Sequence, residues 1–214
     1  AFMVLTLITI FMGSMLAYRE PVLKKRLAYS TVSQVSYILF GLSAMNMNSV
    51  TGGVLHVIAH GFIKAALFLC AGAIIYMTGK TRVEELKGIG KEMPLLMWCY
   101  TIVSLGLIGI PPTGGFISKW YLAMGSLETG IPGFSWIGPV VLLVSALLTA
   151  GYLLPITIQG FFPGADYDYK ASKKKEPSAL MTVPVMILNV LTVFMGLFPG
   201  QLISWIQQAV TKLI

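Results

Sequence analysis

The sequence predicts an all-α, polytopic membrane helix bundle of about six transmembrane helices, one of them broken. Three observations predict it. The 214 residues are 56% hydrophobic and only 11% charged, outside the composition of soluble globular domains. The apolar residues fall in continuous runs near the roughly 20 residues that a helix needs to cross a hydrocarbon core about 30 Å thick. Those runs do not alternate, as the strands of a membrane β-barrel would.

The first run, residues 2–18, has no basic leader and reads as a span rather than a signal peptide. It opens at Ala1 inside apolar sequence, so a preceding segment or a companion chain is expected. The second run, 28–45, carries Ser30, Thr31, Ser33, Gln34 and Ser36, read as helix-packing residues, some of them holding water. The third, 52–78, contains His56, His60 and Lys64. The fourth, 94–125, is interrupted by Pro111, Pro112, Thr113, Gly114 and Gly115. The fifth, 134–162, carries Ser145, Thr149 and Tyr152, and the sixth covers 180–198. Beyond Pro199 and Gly200, the tail 201–214 places Leu202, Ile206, Ala209, Val210 and Leu213 on one face, the pattern of an amphipathic helix lying on the outer surface.

Charge supports this order and orients it. Twelve of the fifteen Lys and Arg residues fall in three loops, four in each, around 19–27, 79–93 and 163–179. The connections after the second and fourth runs hold none. Positively charged loops stay in the cytoplasm, so the three basic loops are expected there and the start of the first span outside. The net charge of +7 is mostly this orientation signal, and nucleic acid is not an expected partner. All eight acidic residues also lie in loops, which leaves no carboxylate in a span. Cys70 and Cys99 read as small buried apolar residues.

Lys64 and Lys119 are the basic residues deep in apolar sequence. A charge at the bilayer centre costs at least about 2.5 kcal/mol, so each marks a functional site unless it snorkels to a headgroup. His56, His60 and Lys64 recur every four residues, which keeps them along one drifting helix face over about 12 Å. Imidazole and a desolvated amine can each take up and release a proton near neutral pH, so the ladder suits a proton relay with water between its rungs. A zinc site shares the His-x-x-x-His spacing, but Val57 follows His56 where a metalloprotease motif has its Glu, and no third ligand is visible. Neither a metal nor a redox cofactor is expected, and no catalytic residue is assigned. The blander alternative is that the histidines bond neighbouring helices as structural glue. In the fourth run, Pro111 and Pro112 remove amide donors, and Gly114 and Gly115 permit the dihedrals of a break. Irregular backbone at membrane depth survives only inside protein or along a wet cavity, as in the discontinuous helices of transporters. Lys119 opens the second half-helix, near water and backbone carbonyls at the gap.

Three stretches together resemble one family: residues 25–37 (KRLAYSTVSQVSY), 55–69 (LHVIAHGFIKAALFL) and 109–120 (GIPPTGGFISKW). They look like the antiporter-like subunits shared by respiratory complex I, Mrp-type sodium/proton antiporters and membrane-bound hydrogenases, in order over residues 1 to about 160. The resemblance implies a fold with two inverted five-helix repeats, each with one broken helix. Residues 1–162 would form the second repeat, 163–179 a basic cytoplasmic loop, 180–198 a closing helix and 199–214 the amphipathic tail. It implies that His56, His60 and Lys64 lie on a central hydrophilic axis and that Lys119 exchanges protons with the exit side; Lys at that place is closest to the most distal complex I subunit of this type. The first repeat must then come from an N-terminal half or a companion chain. Further expected partners are other antiporter-like and small membrane subunits, a peripheral redox arm and lipids, in a prokaryotic plasma membrane. The implied function is proton translocation in a redox-driven pump, with no redox catalysis in this chain. An Mrp-type secondary antiporter is the alternative, and a purely structural scaffold the third reading.

Overall fold

A computed structural model describes residues 2–165, 167 and 174–212, and among them the regular structure is helical apart from one isolated β-bridge. In chain order the elements are α1 (Phe2–Arg19), α2 (Leu23–Ser43), α3 (Met47–Thr78), a 3-10 turn (Val83–Leu86), α4 (Ile89–Glu92), α5 (Pro94–Ile108), α6 (Gly114–Leu127), α7 (Phe134–Phe161), α8 (Ala179–Leu197) and α9 (Gly200–Val210). Local chemistry sets the ends of the longest helix. The Asn46 side chain accepts from Ser49 N at 2.8 Å to start α3, and Gly79, at φ 72°, stops it by returning its N–H to Ile75 O.

The bundle has an apolar core, as a soluble one does, but it also carries apolar residues over its outer surface and polar stripes within. Along α2, Ser30, Ser33, Gln34, Ser36 and Tyr37 are buried, while Tyr29, Val32, Val35, Leu39 and Leu42 are exposed. Exposed Val140, Leu143 and Leu147 on α7, and Val183, Ile187, Val190 and Phe194 on α8, continue the apolar outer surface. Such a surface is stable against lipid tails, and the polar inward stripes supply hydrogen bonds between helices.

Six apolar runs resolve differently in length. Four helices, α1, α3, α7 and α8, are long and apolar enough to cross a membrane by themselves. The second run begins at Leu23 rather than residue 28, so Lys24, Lys25 and Arg26 occupy the first turn of α2 instead of a loop. That turn lowers its hydropathy, and the cations there are handled singly. Lys24 and Lys25 are exposed, whereas Arg26 folds back to donate to Glu20 O at 2.7 Å and Tyr152 O at 2.9 Å. The fourth run becomes α5 and α6, of 15 and 14 residues. At about 1.5 Å per residue each is about 20 Å long, too short to cross alone.

The helix α3 is the hub, packed against α2, α5, α6, α8 and α9, while α7 closes the bundle against α1, α5 and α6. In α9, Ile206 and Val210 are buried and Trp205 is exposed, so its apolar face is shared between the bundle and the outside. The three basic connections gather at one end. Val22 bridges Arg82, Leu23 N donates to Thr81 O and Val83 N to Pro21 O, both at 2.9 Å. Lys175 N donates to Glu92 O at 2.8 Å and Leu95 N to the Glu176 carboxylate at 2.6 Å. Asp166, Asp168, Lys170, Lys173 and Leu213, which the sequence placed in the third basic loop and the tail, lie outside the described residues. At the opposite end, Asn46 donates to Gly125 O and Asn48 to the Glu128 carboxylate, both at 2.7 Å.

Candidate functional site

The site is built around the break between α5 and α6. Helix α5 ends at Gly109, whose φ of 94° is open to glycine and strained for other residues. A continuing helix would offer the carbonyls of Leu107 and Ile108 the N–H groups of residues 111 and 112, but those are prolines and have none. Two carbonyls are therefore left without helical donors inside the bundle. Lys119, on the second turn of α6, reaches back to fill this deficit. Its Nζ donates to Leu107 O at 2.6 Å and to Ile108 O at 2.9 Å. An ammonium also complements the negative end of the α5 dipole. The close approach requires Gly115, where a Cβ would stand 2.0 Å from Gly106 O.

Lys119 is half-buried and lines a groove of about 270 Å³ with Phe116, Trp120, Pro139, Leu142 and Leu143. Its Nζ also lies 5.1 Å from the centre of the Tyr37 ring. That ring stacks on the His56 imidazole, with centroids 5.4 Å apart, and His56 stacks on His60 at 6.1 Å. The Tyr37 hydroxyl is fixed by donation to Leu142 O at 3.0 Å. The four elements α2, α3, α6 and α7 thus meet at one polar core.

His56 is 2% exposed and has both ring nitrogens engaged, Nδ1 with Ser118 Oγ at 2.9 Å and Nε2 with Gln34 Oε1 at 3.1 Å. Ser118 Oγ lies 3.0 Å from Gly115 O, to which it donates its proton. In this arrangement both imidazole nitrogens donate, the hydrogen-bond set of an imidazolium. Rotation of the Gln34 amide would bring its NH2 group, which has no partner, onto Nε2 and suit the neutral ring instead. The pair can therefore satisfy His56 in either protonation state.

His60 is half-buried, and its Nε2 has no hydrogen-bond partner. Lys64, 6% exposed, turns away from His60 towards α2, donating to Leu27 O at 2.9 Å and to the Ser30 hydroxyl. The ladder along α3 is thus only partly a chain of contacts: the imidazoles stack, and the Lys64 amine is held by the neighbouring helix. No three His, Cys, Asp or Glu side chains converge among the described residues.

A separate cluster of hydroxyls joins α1, α2 and α7, with Ser14 Oγ 2.8 Å from Ser33 Oγ and 2.6 Å from Ser145 Oγ. All three serines are fully buried. The sequence marks the four titratable residues, but Tyr37 and Ser118 do not stand out in it as site residues, and Gln34 reads there as a helix-packing residue. The available signal was the Gln34–Tyr37 spacing of three, which puts both on one face of α2.

Residues 1–149 match the transmembrane family of NADH:quinone oxidoreductase and the Mrp antiporter. The chain is 38% identical over 205 residues to NADH-quinone oxidoreductase subunit N of Desulforudis audaxviator (strain MP104C), a match that covers 91% of this chain and 40% of that protein. It is 30% identical over 222 residues to F(420)H(2) dehydrogenase subunit N of Methanosarcina mazei, covering 100% of this chain and 44% of the relative. The chain thus spans less than half the length of these curated relatives. A chain of the Mrp complex from Dietzia sp. DQ12-45-1b has the same fold, with a TM-score of 0.86 at 24% identity over 97% of this chain and 46% of that one. By its family match and its apolar-faced helices, the chain is a multi-pass membrane protein that belongs to the NADH:quinone oxidoreductase/Mrp antiporter transmembrane family.

Proposed function

We propose that this chain forms part of a proton-translocating, antiporter-like subunit of a redox-driven membrane pump, in which Lys119, His56, His60 and Lys64 relay protons. One observation carries the reading. Two amines and two imidazoles, His56 and Lys64 buried and His60 and Lys119 half-buried, lie in an apolar-faced bundle whose spans contain no carboxylate, and three of the four are linked through Tyr37 and by ring stacking. Buried cations without counter-ions are costly, and groups able to shed their protons escape that cost. Lys64 and the histidines store and pass protons, and Lys119 at the break governs exchange with the outer face. A charge change in an adjoining subunit would move protons along the file by altering which group best holds one.

In this reading residues 1–162 are one five-helix repeat with its break at Pro111, Pro112, Gly114 and Gly115, and 180–198 is the closing helix. An N-terminal half or companion chain supplies the other repeat, which agrees with the 40% of the subunit N relative that this chain covers. Other antiporter-like and small membrane subunits, a peripheral redox arm and lipids complete the assembly. The membrane is a prokaryotic plasma membrane, with the basic connections in the cytoplasm; their gathering at one end supports that orientation.

A second reading, an Mrp-type sodium/proton antiporter subunit, is favoured by the fold shared with the Mrp complex. The absence of carboxylates from the spans weighs against a sodium site here, because hard cations need oxygen ligands. Co-purifying redox subunits would select the pump, and small membrane subunits alone the antiporter. The decisive experiment is Lys119→Ala in the assembled complex: proton uptake into vesicles is expected to vanish while electron transfer persists in part. Pumping at the wild-type rate would refute the assignment.

A further inference from the structure

Beside the four titratable residues of the site stands Tyr37. It is a fully buried aromatic whose ring is in contact with two of them at once. An ammonium inside a bundle needs negative potential nearby, and among the described residues no acidic side chain of a span supplies it: none of the six apolar runs contains an Asp or Glu. Lys119 has two backbone carbonyls, those of Leu107 and Ile108, on one side. Around it also stand the apolar walls of its groove, the Tyr37 ring and, near enough to interact electrostatically, the imidazoles of His56 and His60. An aromatic face is the negative end of a quadrupole and attracts a cation whose charge lies within about 6 Å of the ring centre. The Lys119 amine meets that condition at 5.1 Å.

The same ring stacks on His56 at an interplanar angle of 21°. An imidazolium so placed is a second cation for the same π system. The hydroxyl bond to Leu142 O fixes the ring in place from α7, so it need not turn as charge moves from one partner to the other. Building on the relay reading above, we propose that Tyr37 is a positioning residue of the relay, whose ring holds positive charge alternately on Lys119 and on His56 in place of a carboxylate. A plain core aromatic would need only its shape. This role needs the electron density of its face.

The experiment uses the full subunit in its membrane complex, with proton uptake into vesicles normalised to turnover of the driving reaction. Tyr37→Phe keeps the face and is expected to pump within about twofold of wild type. Tyr37→Leu, and replacement of Tyr37 by 3,4,5-trifluorophenylalanine, which keeps the shape but depletes the face, are each expected to pump about tenfold less with assembly and driving turnover intact. Wild-type pumping in all three overturns the proposal. So does a Tyr37→Phe loss equal to that of Tyr37→Leu, which would assign the effect to the hydroxyl, or trifluorophenylalanine matching Phe, which would assign it to shape. If Tyr37→Leu fails to assemble, the comparison of trifluorophenylalanine with Phe decides. Lys119→Ala runs beside them: unimpaired pumping there defeats the relay reading itself, whereas its loss together with normal pumping in the Tyr37 variants defeats only the Tyr37 proposal.

Discussion

A single carboxylate outside the membrane shows how local hydrogen bonding sets a charge. Glu85 accepts from Arg82 N at 2.8 Å and from Thr81 N at 3.0 Å, and these two backbone donors hold its carboxyl below the usual value near 4.5. The folded form therefore binds this proton less readily than the open loop does. Its contribution is fully present above the ordinary carboxylate range and is lost as pH falls through the lower, folded value. Hydrogen exchange at the Thr81 and Arg82 amides is expected to speed up below about pH 4.5 beyond its intrinsic pH dependence. In Glu85→Gln that added step should disappear; an unchanged step would show that another group controls the turn. At this scale the sequence disclosed residues that stand out against their background. Lys64, Lys119 and the two histidines were legible because a titratable group in an apolar run is expensive and so conspicuous. Tyr37 and Ser118 were not, because an aromatic or a serine in a span is ordinary until the helix opposite is known. The direction of the Lys64 amine, towards Leu27 O and Ser30 rather than His60, likewise depends on how α2 packs on α3.

Among the elements, the broken pair α5 and α6 was the most legible, since the adjacent Pro111 and Pro112 withhold two successive amide donors from one apolar run. What the sequence did not disclose is how closely the two halves pass. A Cβ at Gly115 would lie 2.0 Å from Gly106 O and 3.0 Å from Gly106 C, backbone atoms that cannot swing aside. Gly115→Ala must therefore push α6 away from α5, and with it the Lys119 amine from its carbonyls. Overpacking of this kind costs about 1–3 kcal/mol. The assembled subunit is expected to melt several degrees lower in detergent and, on the relay proposed above, to translocate protons more slowly, and a melting point equal to wild type would contradict the geometry. Gly72 is the control, because nothing lies within 4 Å of a Cβ placed there. The start of α2, at Leu23 rather than the expected residue 28, differs for a related reason. Its charged first turn lowers the hydropathy of residues 23–27, yet the backbone stays helical because Arg26 finds carbonyl acceptors in Glu20 and Tyr152 and the lysines reach outward.

At the scale of the whole molecule, the two ends of the bundle differ in kind. One end is fastened backbone to backbone, through the Val22–Arg82 bridge and the Lys175–Glu92 bond, and it carries the basic connections. The other is joined by Asn46 and Asn48 to Gly125 and Glu128, near the glycine-rich turn that leads into α7. Charge asymmetry between the ends orients a polytopic protein during insertion, so the contacts that gather the basic loops and the rule that orients them point to the same face. The alternation of charged and uncharged connections made the shared end of the basic connections readable in the sequence, whereas the pairing of one basic loop with another was invisible because much of it is made by main-chain atoms. Single cysteines introduced at exposed positions test it, the native Cys70 and Cys99 both being buried. Glu84→Cys and Lys174→Cys are expected to react with an impermeant maleimide only in inside-out vesicles, and Met45→Cys and Gly130→Cys only in right-side-out ones. Labelling of Glu84→Cys and Lys174→Cys from opposite faces would separate two loops that the fold holds together. Labelling of all four with the sides exchanged would keep the fold and reverse its orientation, placing the half-helix that bears Lys119 towards the cytoplasm and the amine of Lys64 towards the outside.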